Sequence, residues 1–200
     1  MINNKAKPAV YGLVLAGGQS RRMGHDKALL DRGGRSQLAF AVELLTGCVD
    51  RVFVSTRADQ KDEAERRQYE QVVDRYDDLG PVAGILSAMD EHPDVDWLVV
   101  ACDLPNIDAR TILYLLDHRA TSKPFVAYAS SYDGLPEPLC TLYRQGSEAT
   151  VRKFVTEGVV CPRKILIRSD TLLLDQPNPN SLDNVNTPDD LAGSVLETRP

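Results

Sequence analysis

No two of the four cysteines in this 200-residue chain, Cys48, Cys102, Cys140 and Cys161, form a C-x-x-C pair. Their wide spacing argues against zinc clusters and against a disulfide framework, and free thiols in a reducing cytosol are expected. The three histidines make no H-E-x-x-H spacing, and no G-x-S-x-G elbow is present. Lys and Arg number 23 against 29 Asp and Glu, and the net charge of -6 argues against a general nucleic-acid binder. It leaves room for a local basic pocket suited to phosphates. No apolar run is long enough to span a bilayer, and no internal repeat or low-complexity tract is visible.

What is present is ordinary globular material: aromatics are only 6%, but apolar residues reach 42% and charged residues 26%. At this length one well-packed domain is expected rather than two. Lys5 and Lys7 precede "AVYGLVLA", as in a short signal peptide. The apolar segment is barely long enough for that, and "GGQSRRMGHDK" is a poor cleavage context. Residues 1–8 are therefore expected to be a flexible N-terminal tail, 9–197 the domain, and the location cytoplasmic.

Along the chain, strand-like and helix-like patterns alternate. Val10 to Ala16 is a continuous β-prone run that stops at Gly17-Gly18, as expected of a strand buried on both faces. Leu38, Val42 and Leu45 recur at helical spacing before Gly47. "RVFVST" predicts a second strand, "ADQKDEAERRQYE" a charged outer helix, and "QVVD" a third strand ending at Asp74. Gly80-Pro81 leads into another helix, and "DWLVVACD" is the strongest strand of all. Asp108 N-caps the helix carrying Ile112, Leu115 and Leu116, and "FVAYA" and "PLCTLYR" predict two more strands. Ser147 is expected to cap a helix ending at Gly158, "KILIR" to form a late strand, and Thr187-Pro188 to start a last helix. The implied fold is α/β: a single three-layer, Rossmann-like domain with a mostly parallel sheet.

In such a sheet, ligands sit beyond the carboxyl ends of the strands. The first such loop is "LAGGQSRRMGHDK". Gly17 and Gly18 allow close backbone approach to an anion, and Arg21, Arg22 and Lys27 supply the positive charge a triphosphate needs. It matches neither G-x-x-x-x-G-K-[ST] nor G-x-G-x-x-G, and taken alone it also fits a glycine turn before a solvated basic loop. Asp103 in "VVACDLP" stands where a strand emerges, placed either to hold Mg²⁺ or to cap the turn before Pro105.

The blocks "LAGGQSRRMGHDK", "GPVAGI", "CDLP" and "NVNTPDDL", in that order across residues 15–191, resemble the MobA-type nucleotidyltransferases. Among these the resemblance is greatest to the molybdenum cofactor guanylyltransferases. It implies transfer of a nucleoside monophosphate from an NTP to a phosphorylated acceptor, here GTP and molybdopterin, with pyrophosphate released and Mg²⁺ as cofactor. Leu15, Ala16, Gly17 and Gly18 then meet the nucleotide, Lys27 binds its phosphates, and Arg21 or Arg22 helps to neutralise them. The resemblance places Asp74 by the guanine, Asp103 on the metal, and Asn184 and Asn186 near the acceptor or metal. It also implies handover of the product to an insertion chaperone or apo-enzyme.

Two positions depart from the family pattern. Ser55 stands where these guanylyltransferases usually have Asn, and "GLPEPLC" lacks the histidine often found before this proline. They keep open a cytidylyltransferase, or another NTP transferase of the same fold acting on molybdopterin or on a sugar or alcohol phosphate. A nucleotide-binding regulator without catalysis is a further alternative; Gly17, Gly18, Lys27 and Asp103, all intact, count against it.

Overall fold

A computed structural model of the chain describes residues 7–17 and 26–184. Its strands are β1 (Val10–Leu15), β2 (Asp31–Arg32), β3 (Arg35–Ser36), β4 (Arg51–Thr56), β5 (Gln71–Val73), β6 (Asp96–Ala101), β7 (Phe125–Ala129), β8 (Pro136–Tyr143) and β9 (Thr171–Leu174). The helices are α1 (Gln37–Thr46), α2 (Pro81–Glu91), α3 (Ala109–Asp117), α4 (Glu148–Thr156) and α5 (Pro162–Ile167). Seven strands form one sheet in the order β5-β4-β1-β6-β8-β7-β9, and β2 and β3 form a small separate hairpin. The first four run parallel; β8 is antiparallel to its neighbours β6 and β7, and β9 is parallel to β7.

The period of two in a strand divides the core between the faces of the sheet. On one face Val10 and Val14 of β1 and Leu98 and Val100 of β6 pack with Leu38, Ala41 and Leu45 of α1 and Ile112 and Leu115 of α3. On the other, Leu13, Trp97 and Val99 meet Ile85, Leu86 and Met89 of α2, Val151 and Phe154 of α4, and Ile165 and Leu166 of α5. The result is three layers, and it explains why β1 and β6 are apolar at almost every position. Fully burying each large aliphatic side chain contributes about 1.5–3 kcal/mol. The helix starts also follow local chemistry: Ser36 accepts from the Ala39 amide and Asp108 from the Thr111 amide.

Three expectations need correction. The charged run 58–70 is not a helix; it forms turns and one short 3₁₀ turn, Arg66–Gln68. A helix of that composition has no apolar stripe to dock, and Arg66 is instead drawn fully into the interior by polar partners. "KILIR" lies in and just after α5, a helix with proline at its start and Ile165 and Leu166 buried; the late strand is β9. Ser147 precedes α4, but its buried hydroxyl has no partner among the described residues and caps nothing. The expected helix at Thr187-Pro188 lies outside the described residues. None of the described helices is long and apolar enough to cross a membrane.

Candidate active site

Strand order reverses beside β1: β4 and β5 lie to one side of it and β6 to the other. Such a switch point opens a crevice at the carboxyl ends of the strands. A cleft of about 750 Å³ lies there, lined by the end of β1 (Leu15, Ala16, Gly17), the end of β4 (Ser55, Arg57) and the residue after β5 (Asp74). Ala101, Cys102 and Asp103 at the end of β6 line it too, with Asp26, Lys27 and the start of α2. The strand ends are held together by backbone bonds. The Ala16 amide donates to the Ser55 carbonyl (3.2 Å), the Cys102 amide to that of Leu15 (3.3 Å), and the Asp74 amide to that of Thr56 (2.8 Å).

At one end of the cleft the Ser55 hydroxyl donates to Asp74 Oδ1 at 3.0 Å. Both rest on α2 at Gly84. A Cβ there would stand 2.1 Å from Ser55 Oγ and 3.1 Å from Asp74 Oδ1, so only glycine lets helix and pair approach this closely. Burial pushes the Asp74 carboxyl up, opposed by the Ser55 hydrogen bond and by Arg57. Gly17 is different. A Cβ at this position would make only ordinary contacts, 3.5 Å from Arg57 and from Asp74 Oδ2, so the missing side chain leaves room in the cleft itself.

At the other end Lys27 Nζ lies 3.4 Å from Asp103 Oδ2. Asp103 Oδ1 is buried and has no hydrogen-bond partner among the described residues. Burial raises the Asp103 carboxyl pKa; Lys27 opposes the shift without cancelling it. A buried carboxylate oxygen lining this cleft, with no hydrogen-bond partner among the described residues, fits a divalent cation. Among the described residues no cluster of three or more His, Cys, Asp or Glu suits a metal. A single carboxylate such as Asp103 suits Mg²⁺, which takes one or two protein carboxylates and fills its shell with water and phosphate oxygens. Cys102 faces the same cleft, but burial pushes its thiol up to about 12, so it stays protonated and is no nucleophile.

Of the residues singled out from the sequence, Leu15, Ala16, Gly17, Lys27, Ser55, Asp74 and Asp103 converge on this one cleft. Asn184 is exposed and is not in its lining. Gly18, Arg21, Arg22 and Asn186 lie outside the described residues. Sequence reasoning missed Asp26 and Arg57. Arg57 directly follows β4, the place where a strand-end search looks, and its guanidinium is held by Asp59 with Nε–Oδ1 at 2.9 Å. Asp26 caps the 3₁₀ turn Lys27–Leu29 by accepting from the Ala28 amide at 3.0 Å, which aims the Lys27 turn.

A family model described as MobA-like NTP transferase domain matches residues 12–171. A molybdenum cofactor biosynthesis bifunctional protein of Synechocystis sp. is 35% identical over 181 residues, 90% of this chain, which spans 52% of that protein's length. A probable molybdenum cofactor guanylyltransferase of Trichormus variabilis is 31% identical over 186 residues, covering 90% of this chain and 87% of the relative. Among solved structures, molybdopterin-guanine dinucleotide biosynthesis protein A from Archaeoglobus fulgidus aligns with a TM-score of 0.76 at 22% identity, covering 92% of this chain and 95% of that one. At that identity the likeness is one of fold.

Proposed function

The chain belongs to the MobA-like NTP transferases, and we propose that it transfers GMP from GTP to the terminal phosphate of molybdopterin, releasing pyrophosphate. The observation that carries this reading is the presence, in one cleft, of the hydrogen-bonded Ser55–Asp74 pair and of the Lys27–Asp103 ion pair. Guanine presents two N–H donors on one edge, and the Asp74 carboxylate accepts both. Ser55 orients that carboxylate by donating to Oδ1, and Asp74 Oδ2 lies on the Gly17 side. The backbone from Leu15 to Gly17 runs between the two ends, where a nucleoside and its α-phosphate pass. The names of relatives such as the Trichormus variabilis guanylyltransferase support the choice of guanine and molybdopterin.

In the reaction an oxygen of the acceptor phosphate attacks the α-phosphorus of GTP. The bond to the bridging α–β oxygen breaks, and pyrophosphate leaves with the electron pair. The attacking oxygen is already anionic, so no general base is needed, and no histidine is among the described residues lining the cleft. Lys27 neutralises phosphate charge, and Asp103 would hold Mg²⁺, which supplies further charge neutralisation when bound. Catalysis is then positioning plus electrostatics. The reaction belongs in the cytoplasm, where nucleoside triphosphates are supplied.

Thermal unfolding with Mg²⁺ and each of GTP, CTP, ATP and UTP tests the base assignment. GTP at about 100 times its Kd should add about 2.7 kcal/mol, a rise of about 5–10 °C for a chain of this size. A rise with CTP in place of GTP would favour the cytidylyl reading, which Ser55 in the asparagine position makes the specific rival.

A further inference from the structure

Arg66 has no solvent-exposed surface, although it lies in the most charged stretch of the chain and next to the exposed Arg67. Its Nη2 donates to two acceptors at 2.7 Å each, the carbonyl of Ala16 and Oδ2 of Asp26. Its Nη1 reaches Glu63 Oε2 at 3.2 Å, while Nε is buried with no partner among the described residues. The backbone of Arg66 is itself pinned, since its carbonyl accepts from the Gln71 side chain of β5 at 3.1 Å. Ala16 and Asp26 both line the cleft, and in sequence they flank the glycine-basic segment. Arg66 does not line the cleft; it works from behind.

We propose that Arg66 is a positioning residue for the nucleotide site, a clamp that fixes both ends of the phosphate segment from beneath. A buried guanidinium whose Nε has no partner among the described residues is poor stabilising material, because apolar replacements of buried ionic groups are often as stable or more so. What an apolar side chain cannot do is hold a carbonyl and a carboxylate ten residues apart at one nitrogen. The planar fork does so by directing one N–H at each. Asp26 in turn receives the Ala28 amide, so the clamp extends to the turn that carries Lys27. Releasing Arg66 therefore loosens the Leu15–Gly17 backbone and the Lys27 turn together, although neither is chemically altered.

This inference rests on the cleft being the nucleotide site, and the experiment separates the two. Arg66→Lys keeps the charge but not the fork; Arg67→Lys makes the same change at the exposed neighbour. Both variants and the unaltered chain are compared without ligand by amide exchange at Ala16, whose N–H donates to Ser55, and at Ala28, whose N–H donates to Asp26, and by thermal midpoint. They are then compared with Mg²⁺–GTP for Kd, and with molybdopterin added for turnover. We expect exchange at both amides to quicken and GTP affinity to fall about tenfold or more in Arg66→Lys alone, with turnover at saturating GTP reduced less than affinity. A lowered midpoint with unchanged exchange and affinity makes Arg66 merely structural and overturns the proposal. Faster exchange in a series where no form binds GTP upholds the clamp and overturns the nucleotide assignment instead. If Arg66→Lys does not fold, Asp26→Asn, which weakens one side of the clamp, must reproduce the effect on Ala16 or the proposal fails.

Discussion

Gly84→Ala sets two physical effects of opposite sign against each other at a single position. In the interior of α2, alanine is favoured over glycine by about 1 kcal/mol on helix propensity alone. The new Cβ, however, would lie 2.1 Å from Ser55 Oγ, 3.0 Å from Ser55 Cβ and 3.1 Å from Asp74 Oδ1. Ser55 must swing away or the helix must lift, and overpacking of this kind costs about 1–3 kcal/mol. Rotation of Ser55 also breaks its 3.0 Å hydrogen bond to Asp74, a further loss of about 1 kcal/mol. The steric and hydrogen-bond terms win, leaving a net destabilisation of about 1–3 kcal/mol. At about 2–4 °C per kcal/mol for a chain of this size, differential scanning calorimetry should show a midpoint lower by about 2–12 °C. In the Ser55→Ala background the 2.1 Å contact disappears, so the same substitution should cost less, with a coupling of about 0.5–3 kcal/mol. A midpoint raised by Gly84→Ala, as propensity alone dictates, would refute this packing of α2 against Ser55 and Asp74.

Asp103→Asn should lower turnover by about 10²–10³-fold, measured as pyrophosphate release, while the fold persists. Its effect on stability depends on pH. Burial raises the Asp103 pKa in the native state, so stability from that proton is complete below the ordinary value of about 4 and is lost as pH rises through the raised value. The stability of ligand-free Asp103→Asn relative to the parent chain should therefore grow as pH rises from about 4, and urea unfolding at a series of pH values measures it. Asp74→Ala should weaken GTP binding by about 1.5–3 kcal/mol, or roughly 10–150-fold, and erase the preference for guanine; competition titration with CTP and ATP reads both. Chelation of divalent cations should abolish transfer, and added Mg²⁺ should restore it.

The parts of the fold legible in the sequence are those in which local pattern and tertiary environment agree. "RVFVST" and "DWLVVACD" are long β-prone runs; the first is β4 and the second holds β6, which ends at Ala101, two residues before Asp103. Asp103 is legible because carboxyl ends of parallel strands collect at one edge of the sheet, whereas Asp74 and Ser55 were singled out through the family resemblance. Arg66 was not. Its partners Ala16 and Asp26 lie 50 and 40 residues away, and no periodicity in "AERRQYE" separates the buried arginine from the exposed one. "KILIR" failed for a related reason: a short apolar run fits either element, and here Pro162 at the helix start decided it. Asp26 lies within "LAGGQSRRMGHDK", where its capping of the Lys27 turn looks from sequence like any loop carboxylate.

The central claim is the transfer itself, and following the α-phosphate tests it most directly. GTP labelled at the α-phosphorus is incubated with the chain, Mg²⁺ and molybdopterin, and the products are separated. Label is expected in a molybdopterin-linked dinucleotide, with one pyrophosphate released per label transferred and no transfer without the acceptor. Label that stays in GTP while α-labelled CTP gives a dinucleotide would contradict the guanine assignment, and label transferred from neither would contradict the function.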